Sequence, residues 1–170
     1  VEMANWLMMQ LNKGKFGEKQ IVSEANLKEN HTPHIIVSPA EITFRELGYA
    51  TYGMGWSINT YRGFLRLSHN GSIEGYRSQM AFFPNENLGV AVLTNTGLAD
   101  YYFVNYVTNH VTDKWLNLSI IDWPTRLKTA QSEAKAKTEK SKQENAAKRK
   151  SDTKPSHNLD SYTGTFQHPA

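Results

Sequence analysis

The fold is decided by residues 52–95, which read YGMGWSINTYRGFLRLSHNGSIEGYRSQMAFFPNENLGVAVLTN. At the start of this stretch the apolar residues Met54, Trp56 and Ile58 alternate with small or polar ones. A period of two is typical of a strand that buries one face. The stretch therefore predicts β-structure rather than helix.

Turn residues divide the same stretch into hairpins. Thr60–Gly63 can reverse the chain into a second strand, Phe64–Ser68. The sequence Pro-Asn-Glu-Asn at residues 84–87 separates a third strand, Tyr76–Phe83, from a fourth, Leu88–Asn95. Both faces of this last pair are largely apolar, which predicts a sheet covered on both sides.

Helical patterns flank the predicted sheet. Residues 1–12 have apolar groups at helical spacing, and Ser23 can cap a short helix that ends near Asn30, whereas residues 34–48 have no clear period and are expected to be loop. A helix from about Asp100 to Leu118 is predicted to cover the sheet with one apolar stripe, which consists of Phe103, Val107, Val111, Trp115 and Leu118. The fold class expected is α+β, an antiparallel sheet covered by helices and followed by a charged helical spacer, with helix 1–12 in a separate, mainly helical lobe.

The basic character of the chain is concentrated in residues 126–154, which contain ten basic and four acidic residues. Apolar residues within 125–150 are almost only Ala, so a helix there has no face to bury and is expected to be a solvated spacer. The absence of any aromatic residue between Arg126 and Asn158 removes a stacking platform for bases. The sequence therefore argues against a nucleic-acid partner.

Length and composition exclude several classes. The 170 residues suit one ordinary domain with a tail, and no apolar run is long enough for a transmembrane helix. Without cysteine there is no disulfide scaffold, iron–sulfur cluster or thiolate zinc site. His31 and His34 lack a third ligand at suitable spacing, so no metal and no cofactor are expected. The chain starts at Val1 within a helical pattern, which favours an internal piece of a longer protein.

The residues best suited to chemistry are 69–76, HNGSIEGY. A glycine such as Gly71 on a strand lets a substrate backbone approach closely. The N–H of the next residue, Ser72, can donate to a developing oxyanion. His69 shares a strand face with Gly71 and can orient a carboxylate or assist proton transfer near neutral pH. The alternative is that Asn70-Gly71 is merely a type I′ hairpin turn.

The order of features along residues 1–118 resembles the C-terminal part of the serine β-lactamase and penicillin-binding-protein superfamily. The features are Gly-x-Gly-Trp, a hairpin, His-x-Gly, Gly-Tyr, Phe-Phe-Pro, Leu-Gly-Val and Leu-Thr-Asn. The likeness is to the class C-like branch, which includes esterases and D-amino-acid peptidases and in which His-x-Gly often replaces Lys-Thr-Gly on the active-site strand. The resemblance implies a serine hydrolase that cleaves amide or ester bonds through an acyl-enzyme.

The resemblance also implies roles for individual residues. His69, Gly71 and Ser72 would be catalytic, and Asn70, Ile73 and Tyr76 would bind substrate. The family's Ser-x-x-Lys and Tyr-x-Asn motifs are expected upstream of Val1. The literal matches at Ser132–Lys135, in the charged segment, and at Ser57–Asn59, on a strand, are poor candidates. This chain alone is therefore expected to be inactive.

Three regions and a set of partners follow from the resemblance. Residues 1–118 would be the C-terminal part of the hydrolase domain, 119–158 a spacer, and 159–170 the start of a truncated C-terminal β domain. The partners would be a small-molecule or peptide substrate with an amide or ester carbonyl, and the missing N-terminal part of the same domain. Association of the parent with the cell envelope, and a periplasmic or extracellular location, are also implied.

A second reading is a non-catalytic module of the same fold that binds a peptide or a cell-wall stem without turnover. The absence of an upstream Ser-x-x-Lys would favour that reading. A nucleic-acid-binding protein that uses the basic segment is the third, and strong salt-sensitive affinity for DNA would revive it.

Overall fold

The computed structural model describes residues 2–37, 44–95, 101–150 and 153–168. Its α-helices are α1 (Glu2–Leu11), α2 (Glu24–Asn30), α3 (Tyr101–Trp115) and α4 (Trp123–Ala147). Its strands are β1 (Lys15–Phe16), β2 (Lys19–Gln20), β3 (Ile35–Ile36), β4 (Thr51–Tyr52), β5 (Ser57–Tyr61), β6 (Phe64–Ile73), β7 (Tyr76–Phe83) and β8 (Leu88–Thr94). None of the helices in these ranges has both the length and the apolar character needed to cross a membrane.

Strands β3 to β8 form one antiparallel sheet in sequence order, so the predicted α+β fold and its hairpins are confirmed. Strand β6 extends to Ile73, five residues further than the period of two indicated. Asn70-Gly71 therefore lies inside a strand and is not a hairpin turn. The turn is made instead by Glu74 and Gly75, of which Gly75 has a φ of 78°.

Three short pairings were not predicted. Strands β3 and β4 lie at the margins of the stretch expected to be loop, and β1 pairs with β2 in a separate two-stranded sheet. Each of these strands has two residues, too few for a period of two to be visible in the sequence. The predicted capping of α2 is confirmed, because the Ser23 side chain accepts a hydrogen bond from the N–H of Asn26 at 3.2 Å.

Helix α1 packs directly on the sheet, so the expected separate helical lobe is wrong for this helix. Leu7 is buried in one cluster with Trp56, Ile58, Leu67 and Phe82. Gly89 on β8 allows this approach, since a Cβ there would lie 3.2 Å from the Cβ of Leu7. We call the sheet face covered by α1 the α1 face and the opposite one the α3 face.

The side of helix α3 that packs on the sheet is not the apolar stripe predicted from the sequence. Phe103 and Trp115 of the predicted stripe are 40% and 68% exposed, whereas Val104, Thr108 and Thr112 are buried. The hydroxyls of Thr108 and Thr112 donate to the carbonyls four residues earlier, at 2.7 and 2.8 Å. Their polar groups are satisfied within the helix, so the threonines can pack against the sheet. The expected start at Asp100 lies outside the described residues.

A buried carboxylate joins α3 to the β5–β6 turn and to α4. Asp113 is fully buried and accepts hydrogen bonds from the Tyr61 hydroxyl at 2.7 Å, the Arg62 guanidinium at 2.9 Å and the Trp123 indole N–H at 3.2 Å. Burial and the neighbouring Asp113 raise the pKa of Tyr61 well above its usual range. Tyr61 therefore stays a neutral hydrogen-bond donor.

The first turns of α4 belong to the core, although the sequence indicated a wholly solvated helix. Trp123 and Leu127 are buried in one cluster with Tyr61, and Arg126 binds the Glu46 carboxylate through two hydrogen bonds of 2.9 and 3.0 Å. The first compact unit accordingly runs over Val1–Gln131, past the boundary expected at residue 118.

The second unit, Ser132–Ala170, contains the rest of α4 and a short 3-10 helix, Leu159–Tyr162. Every described residue in it is exposed. The strand alternation expected near Tyr162 is absent from the described part, where residues 163–168 have no regular secondary structure. A β domain that starts at residue 159 remains an expectation.

Substitution of Asp113 tests the buried network. We expect Asp113→Ala to lower the free energy of unfolding by about 3–5 kcal/mol, because two buried donors, Tyr61 and Trp123, and the half-buried Arg62 lose their acceptor. Urea unfolding followed by Trp fluorescence measures this loss. Glu133→Ala, which removes an exposed carboxylate from α4, is the control and should change the stability by less than about 0.5 kcal/mol. Equal losses in the two variants would contradict the role given to Asp113.

Acid titration tests the Glu46–Arg126 pair. The hydrogen bond from Arg126 is the main cause that lowers the pKa of Glu46. A lowered folded pKa gives stability that is complete above the unfolded value of about 4.3 and is lost as the pH falls through the folded value. Glu46→Gln should therefore flatten the loss of stability between about pH 5 and pH 3. Glu133→Gln should keep the wild-type slope, and a wild-type slope in Glu46→Gln would refute the assignment.

Candidate active site

At residues 69–73, which include the candidate site residues, strand β6 is paired with β7 but not with β5. Its pairing with β5 ends at Ser68, opposite Ser57, whereas its pairing with β7 continues to Ile73, opposite Tyr76. Within the part of the chain that the structure describes, residues 69–73 therefore have a strand neighbour on one side only. They form a local edge within an otherwise interior strand.

The direction of the backbone groups along this edge follows from the turn. Ile73 and Tyr76 flank a two-residue turn, so they form a hydrogen-bonded pair, and hydrogen-bonded pairs alternate along an antiparallel ladder. The N–H groups of His69 and Gly71 thus point to β7. The N–H of Ser72 points to the open side.

At position 71 only glycine avoids a close contact with the neighbouring strand β7, because any other residue would add a Cβ atom there. A Cβ at Gly71 would lie 2.5 Å from the Oγ of Ser78, its partner on β7. The side chain of His69 lies on the same face as this position, two residues earlier on the strand. That face is the α1 face, because Leu67 belongs to the cluster that contains Leu7.

His69 is exposed, and its ring is held by one hydrogen bond. The Nε2 atom lies 3.0 Å from the Tyr52 hydroxyl, and the two ring centroids are 6.1 Å apart. His69 also borders a cavity of about 290 Å³ between α1, α2 and the sheet. The walls are mainly apolar or aromatic and include Trp6, Met54, Trp56 and Met80.

A second cavity, of about 470 Å³, lies beside Gly71 and Ser72 at the turn end of the same strands. Its walls include Ile73, Tyr76 and Leu93, which are 76%, 64% and 66% exposed. Together the two cavities leave much apolar surface uncovered around the His69–Ser72 edge.

The structure brings most of the predicted site residues together. His69, Gly71, Ile73 and Tyr76 border the cavities, and Ser72 offers its N–H at the open side. Asn70 differs, because alternation along β6 directs its side chain to the α3 face. Asn70 can contribute backbone groups at the edge, but its side chain lies away from His69.

Tyr52 and Trp6 are site neighbours that the sequence did not single out. Tyr52 precedes the Gly-x-Gly-Trp motif, yet its contact with His69 joins β4 to β6 across 17 residues of chain. Trp6 lies on a helix that was expected elsewhere. Trp6 lines the same cavity as His69. Neither the Tyr52–His69 contact nor the place of Trp6 has a local sequence signal.

The other motif matches gain no support. Ser57–Asn59 lies on β5, and Ser132–Lys135 lies on the exposed part of α4. His31 is half-buried, with its Nε2 atom 2.7 Å from Gln10 Oε1, and burial lowers its pKa. Within the described ranges, no group of three potential metal ligands is found.

Comparison with known proteins agrees with this architecture. The curated Unguisins hydrolase ungD' of Aspergillus campestris is 24% identical over 125 residues, which cover 71% of this chain and 23% of that protein. The octameric penicillin-binding protein homologue from Pyrococcus abyssi superimposes with a TM-score of 0.58 at 27% identity, over 69% of this chain and 24% of that one. The chain thus spans about a quarter of the length of each relative.

The Beta-lactamase family model matches residues 2–108. This match takes in α1, the whole sheet and the His69–Ser72 edge, and it extends over more than half of the chain. The chain therefore belongs to the beta-lactamase family.

Proposed function

We propose that this chain is part of a serine hydrolase that cleaves amide or ester bonds through an acyl-enzyme, and that it supplies one wall of the active site. The observation that carries the proposal is the open edge of β6, where a backbone N–H without a strand partner among the described residues, a glycine and an exposed histidine lie together. The nucleophilic serine belongs to the rest of a longer polypeptide.

Each residue of the edge has a chemical task in this proposal. The N–H of Ser72 donates to the oxygen that becomes negatively charged when the carbonyl is attacked. The missing side chain at Gly71 lets the substrate approach the strand closely. His69 orients the substrate or assists proton transfer, while Ile73 and Tyr76 contact its apolar part and Asn70 contributes through its backbone.

The uncovered part of the α1 face is where we propose that the nucleophile's helix packs. Both cavities border the edge on this face, and their walls are mainly apolar, as expected for a surface covered by further protein. The roughly fourfold greater length of both relatives supports such a missing part.

We also propose an organisation and a location for the whole protein. Residues 119–158 would include the spacer, and 159–170 would open a second domain. The whole protein would work outside the cytoplasm, in association with the cell envelope, on a small-molecule or peptide substrate. These proposals rest on the family resemblance.

The second candidate function is binding without turnover by the same cavities. The sequence upstream of Val1 in the whole protein separates the two: a Ser-x-x-Lys motif supports the hydrolase, and its absence supports the binding module.

Replacement of His69 tests the hydrolase directly. In the longer polypeptide, His69→Ala should lower kcat/KM for an ester probe by about 10²–10⁴-fold, the range for a lost acid–base or electrostatic contribution. His157→Ala, at an exposed histidine of the second unit, should leave turnover unchanged. Full turnover by His69→Ala would exclude an active-site role.

A paired substitution tests why residue 71 is glycine. Gly71→Ala should lower the stability of this chain, because the new methyl group would meet Ser78 Oγ. Adding Ser78→Ala removes that oxygen and leaves the Ser78 Cβ, 3.9 Å from the new methyl group, so much of the thermal stability should return. In the longer polypeptide the double variant should still hydrolyse the ester slowly, because the methyl group also blocks the substrate. Recovery of full turnover would show that Gly71 matters only for packing.

A further inference from the structure

Tyr52 is held firmly in place beside the site. It pairs with Ile35 on β3 and with Ser57 on β5, and its carbonyl accepts a hydrogen bond from the His34 N–H at 2.9 Å. The next residue, Gly53, donates to the Trp56 carbonyl at 2.8 Å. The backbone that carries the Tyr52 ring is therefore fixed on both sides.

The contact between Tyr52 and His69 depends on the short β5. The two residues lie on β4 and β6, with β5 between them. Ser57, the first residue of β5, lies opposite both Tyr52 and Ser68. His69 lies one residue beyond this last pair, and within the described ranges no strand lies beside it on the β4 side. The phenol ring reaches across the gap and its hydroxyl comes within 3.0 Å of Nε2.

The hydrogen bond with Tyr52 bears on which of the two ring nitrogens of a neutral His69 carries the proton. The nitrogen that accepts a hydrogen bond carries no proton in a neutral imidazole, so the proton is on the other one. A neutral imidazole nitrogen is a better acceptor than a phenol oxygen, which favours donation from Tyr52. Among the contacts of the described residues, His69 Nδ1 has no hydrogen-bond partner and the ring is exposed.

We propose that Tyr52 is a positioning residue for His69: its hydroxyl donates to Nε2, fixes the tautomer that carries the proton on Nδ1, and leaves Nδ1–H as the group that meets the substrate. The part of this statement that concerns substrate rests on the proposed hydrolase function. The part that concerns the tautomer applies to the chain as it stands.

Nitrogen NMR of the 170-residue chain tests the tautomer. At a pH where the ring is neutral, ¹⁵N shifts of His69 should show the proton on Nδ1 in the wild type. In Tyr52→Phe they should move towards the form with the proton on Nε2, which free imidazole side chains prefer. Tyr49→Phe, at a tyrosine that is 71% exposed, should match the wild type. A proton on Nε2 in the wild type, or an unchanged tautomer in Tyr52→Phe, would overturn the proposal.

Kinetics in the longer polypeptide separate this proposal from the proposed function. Tyr52→Phe should lower kcat for the ester probe by about 2- to 12-fold with little change in KM, which corresponds to the loss of one hydrogen bond. In a His69→Ala background it should have no further effect. An equal loss in that background would show that Tyr52 acts independently of His69 and would overturn the proposal. Full turnover of His69→Ala alone would exclude a role for His69 in turnover and would overturn the substrate part of this proposal, whereas a longer polypeptide of wild-type sequence that does not hydrolyse the ester would defeat the proposed function and leave the tautomer assignment standing.

Discussion

The carboxylate of Asp113 holds the turn between β5 and β6, and the register of the central sheet depends on that turn. Asp113 binds Tyr61, the last residue of β5, and Arg62, the first residue of the turn. Arg62 and Gly63 have φ values of 52° and 90°, which match the twist of a tight two-residue hairpin. With the hairpin fixed there, the five residues of β5 pair with Phe64–Ser68 of β6, and β6 continues beyond them to Ile73. The open edge is thus a consequence of strand lengths and of one buried ion pair.

The α3 face of the same sheet is unusually polar for a buried layer. Arg66 lies there, buried, with its Nε atom 3.1 Å from the Asn59 side-chain oxygen and its guanidinium over the Tyr61 ring. Desolvation lowers the pKa of Arg66 to about 10, which still leaves the guanidinium charged at neutral pH. Its contact with Tyr61 adds a link between β6 and the network around Asp113. Polar residues therefore tie α3 to the sheet on this face, whereas apolar packing by Leu7 and its neighbours dominates under α1.

The sequence predicted those parts of the fold that depend on local patterns. The hairpins, the cap at Ser23 and helices α1 and α3 follow from periodicity and turn chemistry. The placement of α1 could not be predicted, because Gly89 meets Leu7, a residue distant in sequence. The buried side of α3 was missed because its threonines satisfy their hydroxyls on carbonyls four residues earlier and can then pack like apolar residues. At the site, the His-x-Gly resemblance pointed to His69 and Gly71, but Asn70 faces away from them, and Tyr52 meets His69 only because β5 is short. Contacts that depend on strand length leave no local signal in the sequence.

The proposed oxyanion donor requires a Ser72 N–H that is unpaired at an open strand edge. Amide hydrogen exchange of the 170-residue chain, read residue by residue by NMR, measures this directly. We predict that the Ser72 amide exchanges much faster than the amides of His69 and Gly71, which point to β7. Protection of Ser72 equal to that of its two neighbours would contradict the open edge and, with it, the proposed oxyanion donor.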